Sequence, residues 1–305
     1  MSSVPDPQGL KRAFNRPWVG NTLRYGSVGA AADWQVIREL YYQDNVKAAY
    51  EMALSVGDVV GGNTLGFFRL IEGEYLTREA SEIERIDERL QFESSNLREH
   101  LKAEVQSNCS AVASRLGWSF EVDVLVTLLV AEADNPWHGG RYGYYMDKYP
   151  YDKVCIPGAT SADPGLFQQV LSHEYAHVIT TNLTNNRAPH WVEEGISQTM
   201  EGREAKPISS WINDPVQLNA AFDQERRGGS NHESVANAYA QAHRLVLELH
   251  RRKGDSGLAE FLRAYADNGA WEEIKIATSL DDPTDEALRQ VYELDQKRLF
   301  EIVGG

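Results

Sequence analysis

Polar and apolar positions in the N-terminal 117 residues predict a mainly helical region behind an irregular start. Residues 1–30 contain scattered Pro, Gly and Arg, and no regular element is predicted there. Residues 33–55 are typical of a helix, and the highly charged residues 79–116 of one or two long helices. Four glycines in residues 56–66 predict a break, and residues 67–75 predict a strand.

Two apolar stretches in the middle of the chain predict strands. The run V-D-V-L-V-T-L-L-V-A at residues 122–131 is rich in β-branched side chains. Residues 135–140 contain Pro and two Gly and predict a loop. The aromatic-rich segment that follows ends in Lys153–Ile156, which predicts a second strand.

A helix is predicted from residue 165 to residue 181. Asp163 is a suitable N-cap and Pro164 a suitable first helical residue. An apolar stripe at helical spacing follows, made of Phe167, Val170, Leu171 and Val178. The polar, turn-forming residues after Thr181 then predict its end, and a second helix can fold back after this linker.

This helix carries the sequence His173-Glu174-Tyr175-Ala176-His177, an H-E-x-x-H motif. Side chains four residues apart lie above one another on one helix face, so His173 and His177 can bind one metal ion from the same side. Glu174 points to the flank, where a carboxylate can act as general base towards a metal-activated water. A chance match in a structural helix is the alternative.

A catalytic zinc ion needs a third protein ligand, which the motif does not supply. The metzincin pattern fails because Leu183 stands where that family has its third histidine. A glutamate on a following helix is the other source, and Glu194 occurs seventeen residues after His177 in the run W-V-E-E-G.

The runs H-E-Y-A-H and P-H-W-V-E-E-G-I-S-Q-T-M-E-G together resemble the gluzincin metallopeptidases, specifically the peptidase MA-like family. The resemblance covers about residues 118–303. It implies that Glu194 is the third ligand of one Zn²⁺ per chain, rather than its neighbour Glu193. It also implies that the substrate is a peptide or protein.

The resemblance also implies a fold, which is an α+β, zincin-like domain over residues 118–305. Such a domain has a small mixed sheet with an edge strand, active-site helices and a helical C-terminal part. We expect it to follow an irregular segment, residues 1–30, and a mainly helical region, residues 31–117. Tyr142–Met146 or Asp152–Ile156 could be the edge strand that holds the substrate backbone. The equal alternative is that the tyrosines of this region only cover the sheet.

Further site residues are expected beside the metal. Family position favours Tyr239 as donor to the oxyanion of the transition state, although it borders an apolar helix stripe and could be a core residue. His232 and His243 are the alternative donors. Gln198 and Glu201 share a helix face with Glu194, and either could accept the free ring N–H of a ligand histidine.

One departure from the family weakens an aminopeptidase interpretation. Gly143-Tyr144-Tyr145-Met146-Asp147 has no glutamate where the one-zinc aminopeptidases hold the substrate amine with a G-x-M-E-N segment. The prediction is therefore a zinc peptidase of unspecified cleavage mode. The remaining alternatives are a zinc hydrolase of a non-peptide amide and an inactive zincin that acts as a binding or scaffolding module.

Composition limits the partners and the location. The net charge of −15 and the pI near 5.0 argue against binding to nucleic acid or to anionic membrane surfaces. No signal peptide or membrane span is evident, so a cytoplasmic location is expected, or a secreted one if a signal has been removed. Cys109 and Cys155 predict neither a disulfide scaffold nor a cysteine zinc site.

Overall fold

The described part of the chain forms ten α-helices and a small five-stranded sheet, a mixed α/β fold with more helix than strand. The computed structural model describes residues 28–56, 62–95, 99–130, 143–147, 150–226, 232–267 and 283–305. The strands are β1 (Glu82–Arg85), β2 (Leu90–Ser94), β3 (Val124–Leu129), β4 (Tyr144–Met146) and β5 (Asp152–Pro157). The helices are α1 (Val28–Tyr42), α2 (Val46–Val56), α3 (Gly62–Ala80), α4 (Glu99–Arg115), α5 (Pro164–Leu183), α6 (His190–Glu201), α7 (Pro215–Arg226), α8 (His232–Asp267), α9 (Pro283–Tyr292) and α10 (Gln296–Gly304).

The sheet is mixed, with strand order β1-β2-β3-β5-β4. The three inner strands are parallel, and the outer strands β1 and β4 are antiparallel to their neighbours. All six side chains of β3 are buried, as expected for an inner strand. The predicted small mixed sheet and the predicted strands at β3 and β5 are confirmed. Of the two candidate edge segments, Tyr144–Met146 lies at an edge of the described sheet, whereas β5 is paired on both sides.

The strand predicted at residues 67–75 is wrong, because this segment lies within α3. Leu70, Ile71, Glu74 and Thr77 are buried there and follow helical spacing. The short apolar run F-F-R-L-I does not separate a strand from a buried helix by periodicity.

The prediction of only helix over residues 79–116 is wrong in its first half, which forms the hairpin β1–β2. The amides of Ile86 and Asp87 both donate to the carbonyl oxygen of Leu90 and close the turn, at 2.9 and 3.1 Å. All four residues of β1 are exposed, so their charges gave no sign of a strand. The second half is helix α4, as predicted. The predicted helix at residues 33–55 is interrupted at Asp44, whose φ of 54° separates α1 from α2.

Two compact units divide the chain. The first comprises the described residues within Met1–Ser107 and Phe120–Val170, and the second those within Asn108–Ser119 and Leu171–Gly305. The first unit contains the whole sheet together with α1–α3, whereas the sequence placed a domain boundary near residue 117. The division into residues 1–30, 31–117 and 118–305 stays a prediction, and residues 1–27 lie outside the described residues.

The first unit contains a buried network of charges around Lys153 on β5. The Nζ atom of Lys153 lies 2.7 Å from Oε2 of Glu74, 3.6 Å from Oε2 of Glu93 and 3.8 Å from Oδ1 of Asp44. Arg78 also contacts Glu93 and Asp44, and the hydroxyl groups of Tyr41 and Tyr144 donate to Glu74. Burial is the largest single influence and opposes the charge on Lys153, but the attractions of Glu74, Cys155, Glu93 and Asp44 together outweigh it and raise the pKa of the ammonium group. The network joins α3 to the centre of the sheet.

None of the described helices is long and apolar enough to cross a membrane. A bilayer core requires a run of about 20 mainly apolar residues. The 36-residue helix α8 exceeds this length but contains the basic run Arg251-Arg252-Lys253 and a kink at Gly254, where φ is 63°.

Candidate metal centre

Helix α5 begins and ends where the sequence predicts. The Asp163 side chain accepts a hydrogen bond from the amide of Leu166 at 3.1 Å, and its carbonyl oxygen accepts one from Phe167 at 2.8 Å. The side-chain contact caps the amide of Leu166, which has no partner within the helix, and the carbonyl contact is the first hydrogen bond of the helix. After Leu183 the chain turns through Asn185 and Asn186, with φ of 50° and 58°. The H-E-x-x-H motif therefore lies inside one continuous helix.

The two motif histidines are the accessible side chains in the central part of this helix. Between residues 170 and 180 every side chain is buried except His173 and His177, which are partly exposed. Solvent therefore reaches this part of α5 on the face that carries the two histidines.

Three side chains converge at this face. The Nε2 atoms of His173 and His177 are 3.3 Å apart, and Oε2 of Glu194 lies 3.5 Å from the first and 3.6 Å from the second. All three groups belong to the second unit and form a possible metal site. The carboxylate of Glu193 instead lies 3.2 Å from Nδ1 of His190. Of the two adjacent glutamates, Glu194 is thus the one that joins the histidines.

The triangle of donor atoms has the dimensions of a zinc site. Zn–N and Zn–O bonds of roughly 2.0–2.1 Å in a tetrahedron place neighbouring ligand atoms about 3.3–3.4 Å apart. The observed separations, 3.3, 3.5 and 3.6 Å, are close to this edge length. Oε2 of Glu194 is buried and accepts no hydrogen bond of ordinary geometry, although buried polar atoms are normally paired. Two imidazole nitrogens and one carboxylate oxygen match the donor set of a catalytic zinc ion with one open position.

The electrostatics of the cluster favour a positive charge at its centre. Burial opposes protonation of His173, but its contacts with Glu194 and Glu201, together with attraction from Glu174, raise its pKa to about 10. Burial likewise opposes ionisation of Glu194, but attraction from His177 and contacts with both histidines hold its pKa well below the usual range. A divalent cation would supply the positive charge that these carboxylates stabilise.

Glycine at position 195 allows α6 to approach α8 closely. A Cβ atom there would lie 2.5 Å from the carbonyl oxygen of Ala242 and 2.5 Å from Cγ2 of Val246. Any larger residue would push the two helices apart, which gives a physical reason for the glycine that follows Glu194. Close packing at this point fixes the part of α6 that carries Glu194.

Gln198 and Glu201 are the two residues predicted to accept a hydrogen bond from a histidine of the cluster, and Glu201 contacts His173. Its Oε2 atom lies 3.1 Å from Nδ1 of His173, on the ring edge opposite the cluster. The side-chain amide of Gln198 instead donates to the carbonyl oxygens of Tyr239, at 3.0 Å, and Glu194, at 3.5 Å. Arg203, which no sequence pattern singled out, contacts Glu201.

The candidate oxyanion donors lie on α8. Tyr239 is half-buried, and its ring packs edge-on against Phe222 at a centroid distance of 5.0 Å. His243 is buried, and its Nε2 atom has no hydrogen-bond partner. His232 begins α8, but its side chain lies outside the described residues. The assignment of the donor therefore stays a prediction.

Glu174, the predicted general base, is buried next to the first ligand, with a relative exposure of 9%. Its position in α5 and its electrostatic effect on His173 place its charge close to the cluster.

Comparison of the chain with protein-family models, with curated protein sequences and with solved structures finds no match.

Proposed function

We propose that this chain is a zinc-dependent metallopeptidase of the gluzincin type, with a zincin-like fold over residues 118–305. The observation that carries the proposal is the convergence of His173, His177 and Glu194 at separations that suit tetrahedral zinc. The H-E-x-x-H helix, its exposed histidine face and the position of Glu174 support the same conclusion.

In this proposal each residue has a separate role. His173, His177 and Glu194 would hold Zn²⁺, which would supply Lewis-acid chemistry at the scissile carbonyl and at the attacking water. Glu174 accepts a proton from that water and passes it to the leaving amine as general base and then general acid. Tyr239 donates a hydrogen bond to the developing oxyanion. The substrate is a peptide or protein, and neither a nucleic acid nor a membrane surface is a proposed partner.

We expect one zinc ion per chain and zinc-dependent cleavage of peptides. The test is elemental analysis of the purified protein, paired with a peptide-library cleavage profile before and after removal of the metal with a chelator. Cleavage should stop on chelation and return with added zinc. Bound zinc without peptide cleavage would favour either a scaffolding protein or a hydrolase of another amide. Activity on a panel of non-peptide amide substrates would distinguish the hydrolase from the scaffolding protein. If the protein contains no zinc after purification and reconstitution in the presence of zinc, the proposal is contradicted.

Replacing Tyr239 with phenylalanine should lower kcat by roughly 10²-fold with little change in KM. The hydroxyl group would act only in the transition state, so ground-state binding should not depend on it. Phenylalanine fills nearly the same volume, and stability should hardly change. Steady-state kinetics and melting temperature measure these effects.

Tyr265→Phe is the matched control, because Tyr265 is a buried tyrosine farther along the same helix, packed against Phe261. It should leave kcat unchanged. A Tyr239→Phe protein with the kcat of the wild type would assign Tyr239 to the core. His243 and His232 would then be the donors to replace next.

A further inference from the structure

The carboxylate of Glu201 is shared between two groups at the end of α6. One oxygen lies 3.1 Å from Nδ1 of His173, and the other contacts Nε of Arg203. The side chain of Glu201 is only 4% exposed, while that of Arg203 is 34% exposed. Glu201 is thus a buried acceptor between a ligand histidine and a cation at the rim.

A turn specific to this segment makes the arrangement possible. Gly202 ends α6 in the left-handed conformation, with φ of 76° and ψ of 17°. This conformation is the usual helix C-cap for glycine and reverses the chain direction. The residue after it, Arg203, can therefore reach back to the side chain of Glu201.

Arg203 supplies positive charge beside this buried carboxylate. A buried ion is costly unless a partner of opposite charge accompanies it. His243 also lies within electrostatic range of Glu201, but burial lowers the pKa of its imidazole and favours the neutral form. Arg203 contacts the carboxylate oxygen that does not face His173, so it can hold Glu201 in place as an acceptor.

We infer that Glu201 and Arg203 form a positioning pair for the first metal ligand, His173. Glu201 accepts the Nδ1–H of His173, which leaves the lone pair of Nε2 directed at the triangle with His177 and Glu194. Arg203 fixes the carboxylate in that orientation. The pair therefore sets the zinc affinity of the site without touching the metal or the substrate. The inference rests on the proposed function only for the identity of the metal.

A purely structural ion pair at the end of α6 is the competing explanation. Such a pair would change the stability of the metal-free protein and leave the affinity of the folded site unaltered. A positioning pair would change the affinity even where the metal-free protein unfolds at the same temperature. Zinc affinity and the protonation pattern of the His173 ring distinguish the two explanations.

The experiment measures the zinc dissociation constant by competition with a chromophoric chelator. The variants are Glu201→Ala, Glu201→Gln and Arg203→Ala, and the controls are Glu204→Gln and Lys206→Ala at exposed positions nearby. Loss of an outer hydrogen-bond partner of a metal ligand typically weakens binding by about 10–100-fold. We expect this loss for Glu201→Ala, a smaller loss for Glu201→Gln, which keeps an acceptor oxygen, and an intermediate loss for Arg203→Ala. The controls should bind zinc as the wild type does.

¹⁵N NMR of the imidazole rings in the zinc-loaded protein provides the second measurement. Nδ1 of His173 should carry the proton in the wild type, and its signal should shift in the Glu201 variants. If Glu201→Ala does not fold, Glu201→Gln and Arg203→Ala carry the test. Zinc affinities of the folded variants within about threefold of wild type, an experimental margin well below the range expected for an outer partner, would overturn the inference. If the variants bind zinc more weakly as expected but the wild-type protein has no peptidase activity, the inference is upheld and the proposed function is contradicted.

Discussion

Replacing Glu174 with glutamine is expected to leave zinc bound and to reduce peptide hydrolysis by at least about 10²-fold, the usual scale for loss of a general base. Glutamine has nearly the shape of glutamate, so the buried position beside His173 stays filled. An amide cannot accept the proton of the attacking water, and it has no proton to pass to the leaving amine. The measurements are zinc content by elemental analysis and kcat/KM on a peptide taken from the library profile.

Two further variants make this result specific. His177→Ala removes one of the three groups of the cluster, so zinc content should fall far below one ion per chain together with activity. Glu260→Gln makes the same chemical change as Glu174→Gln at an exposed position of α8 and should alter neither quantity. Full activity in a zinc-loaded Glu174→Gln protein would remove Glu174 from the mechanism. Near-stoichiometric zinc in His177→Ala would contradict the ligand assignment.

The convergence of the two histidines could be predicted from the sequence because it depends on local rules. Helical spacing brings His173 and His177 to one face, and the Asp163 cap sets where that helix begins. The prediction of Glu194 depended on the family resemblance, because no local rule brings the next helix back against the first. The structure adds why Gly195 follows it, which is the close packing against Ala242 and Val246.

The outer contacts of the cluster were only partly predictable. Helical spacing indicated both Glu201 and Gln198, because both lie on the face of Glu194, and it favoured a solvated position for Glu201. The Gln198 amide turns to the backbone of Tyr239, whereas Glu201 reaches His173. Arg203 lies beyond the helix, and its approach depends on the left-handed conformation of Gly202. A glycine immediately before an arginine gives no such signal by itself.

Charge inside ordered elements adds to the failures in the first unit. All four residues of the acidic strand β1 are exposed, so its sequence resembles a solvated helix. Helix α3 buries Glu74, a residue that sequence rules assign to a surface. Lys153 stands in an inner strand between buried neighbours, where only the tertiary structure supplies its three carboxylates. Long-range ion pairs have no periodicity, so no sequence pattern predicted this network.

Replacing Lys153 with methionine should lower the free energy of unfolding by about 3–5 kcal/mol, the usual cost of removing one partner of a buried ion pair. Methionine retains most of the volume but leaves the carboxylate of Glu74, which is 0% exposed, without its cation. Arg78 does not replace it, because its contacts go to Glu93 and Asp44. Urea unfolding at pH 7 measures the loss. The pKa of Lys153 is raised in the folded protein, so its contribution is complete below the unfolded value of about 10.4 and is lost only as the pH rises above it.

The double variant Lys153→Met with Glu74→Gln should recover part of that loss, because it removes the isolated charge and keeps an oxygen that accepts from Tyr41 and Tyr144. Non-additivity of the two substitutions is the signature of direct coupling between the groups. Lys102→Met is the matched control, since Lys102 pairs with the exposed Glu84 and Glu99 and should change stability little. Equal, small losses in Lys153→Met and Lys102→Met would show that the buried network contributes no more than a surface pair. A double variant as unstable as the sum of the single ones would show that Lys153 and Glu74 act independently.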